Sequence, residues 1–313
     1  MSSSLASGIE STISIFATAL FDWSVALATG SLLAAHWLRS AGPASPSAAI
    51  RVPRMRSAAL LMLLALAAQF YLLVAMMTGQ AGFADVLNAA PLVATTHAGR
   101  VTLATLGVAL VLLVADLVKA LRAPAVFASL VVLILLLHSA TGHAASDGDF
   151  TLAELLQFLH LAGIALWTGG VIVSGLFLVP KLLPEPSSGS ALPLDPLLVP
   201  LLAKAYLRAL SRVSTGAVAL VLLTGAYKGW TGLDHQLSGL LYSGWGRILL
   251  SKLGLVAVAL ALGALHRCWV RQPERAWTPQ QTRTLAITLR LEAVALTLVL
   301  LLSAWLGSVD PGM

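Results

Sequence analysis

Apolar residues in this chain come in unbroken runs about as long as a bilayer is thick, separated by short polar breaks. They neither alternate with polar residues, as on a half-buried strand, nor recur on one narrow stripe, as on a surface helix. A helix needs about 20 apolar residues to cross the hydrocarbon core. Segments 11–38, 55–78, 97–120, 124–142, 151–180, 206–228, 246–268 and 284–307 meet that need. The stretch "SAGPASPSAAIRVP" separates the first two, "TGQAGFADVLNAAP" the next two, and Pro124 comes just after Arg122 at a tight turn. The longest connector, "PKLLPEPSSGSALPLDPLLVP", has prolines that exclude a continuous helix and leucines that place it at the interface. The expected fold is all-α, a polytopic membrane bundle of about eight transmembrane helices. It divides into an N-terminal half (1–142) and a C-terminal half (143–313), each of four helices.

Composition agrees with that pattern. Of the 313 residues 58% are hydrophobic and 10% charged, against about 25% charged in a soluble domain. Mean hydropathy is +0.90. One cysteine, Cys268, excludes an intramolecular disulfide and a CxxC thiolate site. The opening MSSSLASGI holds no Lys or Arg, so the first segment lacks a signal-peptide n-region and is expected to be a retained span.

The net charge of +6 is topological. Of the 19 Lys and Arg residues, all but Arg100, Lys228, Arg247 and Lys252 fall on one side of the expected bundle. The positive-inside rule makes that side cytoplasmic and puts both termini outside. No nucleic-acid partner is needed to explain the basicity. Asp85, Asp147, Asp149, Glu154, Asp234 and Asp310 lie on the outer side, where they would gather cations. Trp230, Tyr242, Trp245 and Trp305 near outer ends, with Trp37 and Trp269 near inner ends, read as interfacial belts.

Three histidines mark the outer hairpin between segments four and five. His138 lies about one turn inside the end of segment four, and His143 follows Gly142. His160 is roughly 13 Å below the start of segment five, at 1.5 Å per residue. His97 begins segment three, and Met76 and Met77 end segment two, on the same side. Imidazoles and thioethers together suit copper, whereas hard cations call for carboxylates. His160 shares a helical face with Gly163, Trp167, Gly170 and Ser174. Such a small-residue face admits a close neighbour, so His160 should point into the bundle. Taken singly, the residues have plainer readings: His97 as an interfacial polar group, Met76 and Met77 as packing. His36 and His266 read best as anchors near inner ends, and His235 as a solvated loop residue.

Asp22, Asp116, Lys252 and Glu292 lie within apolar segments, and each should face a partner or a wet cavity. A Lys252–Glu292 pair between segments seven and eight is expected, either locking the bundle or relaying an ion.

The order "TGHAA", "LQFLHLAGIALWTGG", "LSRVSTGAVALVLLTGAYKGW", "YSGWGRILLSKLGLVAVALALGALHR" and "LRLEAVALTLVLLLSAW" resembles the CopD family of bacterial copper-resistance membrane proteins. The likeness covers residues 138–307, through His160, Trp167, Gly169, Gly170, Gly246, Arg247, Lys252, Arg290 and Glu292. The first four segments match loosely, through Thr96, Gly99 and Arg100. The resemblance implies an eight-helix inner-membrane protein that takes copper up toward the cytoplasm. It also implies a small periplasmic CopC-type copper carrier as partner. No outer loop is long enough to hold such a carrier, so it would be a separate chain, or there would be none.

The leading expectation is therefore a copper-binding transporter, not an enzyme, with His138, His143 and His160 as ligands and His97, Met76 or Met77 completing the shell. No Walker A or P-type pump motif appears. The alternative is a membrane cytochrome with haem b between two histidines on facing helices, His138 and His160 or His97 and His160. A ligand-free assembly subunit is a third reading.

Overall fold

The computed structural model describes residues 2–40, 55–79, 82–141, 151–182, 198–232, 239–271 and 278–309. Its regular elements are helices: α1 (Ser2–Ser40), α2 (Met55–Thr78), α3 (Phe83–Val93), α4 (His97–Leu117), α5 (Pro124–Ser139) and α6 (Leu152–Ile172). There follow α7 (Val179–Leu182), α8 (Leu198–Gly232), α9 (Gly239–Tyr242), α10 (Gly244–Arg271) and α11 (Pro279–Leu306). Among the described residues α1, α2, α4, α6, α8, α10 and α11 are long and apolar enough to cross a membrane. Helix α5 occupies the fourth expected span but has 16 residues, about 24 Å at 1.5 Å per residue.

Local sequence explains the boundaries. Thr96, Thr151 and Thr278 cap α4, α6 and α11, their hydroxyl oxygens accepting from Gly99 N, Glu154 N and Gln281 N. Gln281 closes a capping box at Thr278. Two features depart from the sequence reading. The stretch read as a break after α2 contains α3, an 11-residue helix too short to span. The fifth span also continues past Pro180 into α7, through a π-helical turn at Val173–Leu178. A proline in a regular α-helix clashes with the carbonyl four residues earlier, and the wider turn relieves it.

Helix α6 is the centre of the bundle, packed against α1, α5, α8 and α11. Contacts thus run freely across the 142/143 division. Helix α1 crosses α6 at two glycines. A Cβ on Gly30 would lie 2.0 Å from the Gly169 carbonyl oxygen, and one on Gly169 would lie 2.2 Å from that of Ala26. The small-residue face of α6 meets α8, with Gly163 against Val221 and Gly170 against Leu210. Farther along it, Ser174 Oγ and Tyr206 Oη are 2.8 Å apart. Trp37, expected in the interfacial belt, is instead buried edge-on against Tyr206 at 5.4 Å. The bundle hides hydroxyls by bonding them to their own helix: Ser24, Thr29 and Ser31 donate to the carbonyls of Phe21, Val25 and Leu27. Val258 and Leu265 of α10 are exposed, as lipid-facing residues would be.

At the basic-rich end, Arg56 of α2 pairs with Asp116 of α4 at 3.4 Å, which gives that buried acid its partner. The expected Lys252–Glu292 pair does not form. Glu292 instead meets His266, Oε2 to Nδ1 at 3.0 Å. Lys252 lies 14 residues from His266 on the same helix, about 21 Å away along its axis. His266 is consequently a buried partner rather than an interfacial anchor.

Candidate functional site

The basic-poor end of the bundle holds a cavity of about 1280 Å³. Its walls are the matching ends of α1, α2, α5, α6, α8, α10 and α11, so residues from both halves of the chain line one space. The lining is mainly apolar, with Trp167 and Thr168 deep on α6 and Trp245 buried on α10. Trp245 is thus a wall of the cavity and not part of an interfacial belt, whereas Trp305 and Tyr242 are exposed.

His160 is the best-defined polar group in this lining. It is buried on α6, and its Nδ1 lies 2.8 Å from Thr224 Oγ1 on α8. That hydroxyl donates its own proton to the Leu220 carbonyl at 2.6 Å, within its own helix. Thr224 can then only accept, so Nδ1 of His160 carries a proton and donates it. In the neutral ring Nε2 is left with a free lone pair, as a metal-ligating imidazole requires. Gly225 makes room for the ring, because a Cβ there would stand 3.2 Å from His160 Cε1.

His138 joins the lining from the end of α5. Its Nε2 lies 3.8 Å from Asp22 Oδ1, and its ring packs on Phe21 with centroids 4.7 Å apart. Asp22, the acid within α1, therefore faces the partner and cavity expected of it. Met76 brings a thioether from the end of α2, where it is 79% exposed. Two cations also line the space: Lys228, which donates to Gln157 Oε1, and Lys252.

The six sequence-predicted ligands thus separate. His138, His160 and Met76 line one cavity. Met77 is exposed and lies outside the lining. His97 is also outside it, with Nε2 3.1 Å from the Ala140 carbonyl, where it ties the start of α4 to the end of α5. His143 lies outside the described residues, as does His235. Among the described residues no three His, Cys, Asp or Glu side chains come close enough together to hold a metal ion. The donors are spread around a vestibule rather than gathered in a closed shell.

Thr224 and Gln157 are absent from the sequence-based site. A signal existed for the first: Thr224 and Lys228 stand four apart, on one face of α8, within the "LLTGAYKGW" stretch.

Comparison with known proteins gives the chemistry a context. The family model described as copper resistance protein D matches residues 204–306. The model of the copper resistance protein D-like N-terminal domain matches residues 9–153. The copper transport protein CutJ of Bacillus subtilis (strain 168) is 30% identical over 142 residues, which are 45% of this chain and 24% of that protein. Copper resistance protein D of Pseudomonas syringae pv. tomato is 28% identical over 180 residues, 55% of this chain and 54% of that one. The matches therefore span about a quarter and about half of these relatives' lengths. No solved structure matches the chain.

Proposed function

This chain belongs to the copper resistance protein D family, and from that premise we propose that it moves copper across the bacterial inner membrane toward the cytoplasm, taking it in through the cavity at the basic-poor end. The observation that carries this reading is the Nε2 lone pair of His160, held available by the Thr224 bond at 2.8 Å. The supporting donors follow the same chemistry, imidazole on His138 and thioether on Met76. Copper passes from Met76 to His138 beside Asp22, then to His160 above Trp167. Few ligands at each stage let the ion move on, because a cargo must be held weakly enough to leave. His143, in the linker between α5 and α6, adds a further donor, and a separate CopC-type carrier delivers the ion.

The test is copper content and uptake in His160→Ala, His138→Ala and His143→Ala variants that still insert and fold. Both quantities should fall, most in His160→Ala, whose site lies deepest. Wild-type content and uptake in all three would sink the proposal. An intense Soret band in the purified protein would assign the cavity to haem instead. Imidazole ligates only when neutral, so copper content should decline on acidification.

A further inference from the structure

A second buried histidine lies far from the cavity, in the basic-rich half of the bundle. His266 of α10 is 7% exposed and Glu292 of α11 is 3% exposed. Nδ1 of His266 is 3.0 Å from Glu292 Oε2, and its Nε2 is 2.7 Å from Thr288 Oγ1. Thr288 also stands 2.8 Å from the Thr284 carbonyl, a position in which its hydroxyl can donate. Counting protons across these three bonds leaves two consistent states. When Thr288 donates to Thr284, its oxygen accepts from Nε2–H. The short Nδ1–Oε2 contact then needs a further proton, so the pair is imidazolium with carboxylate, or imidazole with carboxylic acid, and is neutral as a unit. When the hydroxyl turns to donate to Nε2, that nitrogen is bare and Nδ1–H donates to the carboxylate. The unit then holds one proton fewer and carries one negative charge. In both states every nitrogen and the facing carboxylate oxygen has a partner, so the proton can leave without stranding a buried polar group.

We propose that His266, Glu292 and Thr288 form a binding site for one exchangeable proton. Basic surroundings suit the unloaded state. On the packed helices in this half stand Lys204, Arg208 and Arg212 of α8, Arg267 and Arg271 of α10, Arg283 and Arg290 of α11, and His36 and Arg39 of α1. Arg267 donates to Thr215, and Arg208 reaches the Val270 carbonyl one turn beyond His266 at 3.5 Å. Among the described residues of these helices, Cys268 and Tyr206 are the other titratable groups in this half; the first is exposed and the second is hydrogen-bonded to Ser174. The proton comes from water at the basic-rich side and returns to it. In transport the site would make copper movement respond to the pH on the basic-rich side, a use that rests on the copper reading above; the proton site itself does not.

Infrared difference spectra between acid and alkaline pH test it on the copper-free protein in lipid nanodiscs. Wild type should show coupled changes in carboxyl and imidazole bands, absent from both Glu292→Gln and His266→Gln. Thr288→Val should displace the midpoint of the change, and Thr288→Ser should restore it. Identical difference spectra for wild type and Glu292→Gln would overturn the proposal and leave a static pair. If Glu292→Gln fails to fold, carbon-13 labelling of glutamate carboxyls in the wild type replaces it. An unshifted pH-dependent band would then overturn the idea. His160→Ala should keep this titration whether or not copper uptake is lost, so the two proposals fail separately.

Discussion

Thr224 commits its only proton to a carbonyl on its own helix, and that bond governs a histidine 64 positions earlier in the chain. Valine is close to threonine in shape but has no oxygen to receive Nδ1–H. In Thr224→Val the His160 ring loses its orienting partner, and loss of such partners typically lowers metal affinity 10–100-fold. Copper titration of Thr224→Val should show a drop of roughly that size, with Thr224→Ser near wild type. Equal affinity in all three would mean that His160 is not the ligand or that Thr224 does not orient it. The inward direction of His160 was legible from the small-residue face it shares on α6. Its tautomer was not, because the deciding atom belongs to another helix. His97 shows the converse. Its position near the outer side was legible, but its contact with the Ala140 carbonyl depends on how α4 and α5 meet.

At the scale of elements, the α1–α6 crossing fixes the bundle's centre. A Cβ on Gly30 would stand 2.0 Å from a backbone oxygen, which no side-chain rotation can relieve. The helices would have to separate, and overpacking of this kind costs about 1–3 kcal/mol or more. Thermal or denaturant unfolding of Gly30→Ala in detergent should show that loss. A substitution at Gly107, with open space around it, should be near neutral. The apolar runs were enough to locate the spans, since hydrophobic length is a local property. Helix α3 escaped because eleven residues give no such signal, and the π turn before Pro180 because proline reads only as a break. The expected Lys252–Glu292 pair failed for a simpler reason. Adjacency of helices says nothing about depth, and Lys252 belongs to the cavity while Glu292 belongs with His266.

For the whole molecule, the direction of copper movement depends on which way the cavity opens. All its walls come from helix ends on the side that carries Arg100, Lys228, Arg247 and Lys252, the few basic residues outside the rich end. Moving the remaining Lys and Arg across the membrane would oppose the bias that sets orientation, so the cavity should face outward. The linker holding His143 joins α5 to α6 at that end and should be reachable from the periplasm. Cys268 is exposed at the opposite end of α10, so it must first be replaced by serine to leave a silent background. A single cysteine at Ser146 should then react with a membrane-impermeant thiol reagent in cells whose outer membrane alone has been opened. A cysteine at Ser211, near the basic-rich end of α8, should react only after the inner membrane is also opened. The reverse pattern would turn the cavity toward the cytoplasm. The same donors would then load copper from inside, and the proposed uptake would have to be rewritten as export.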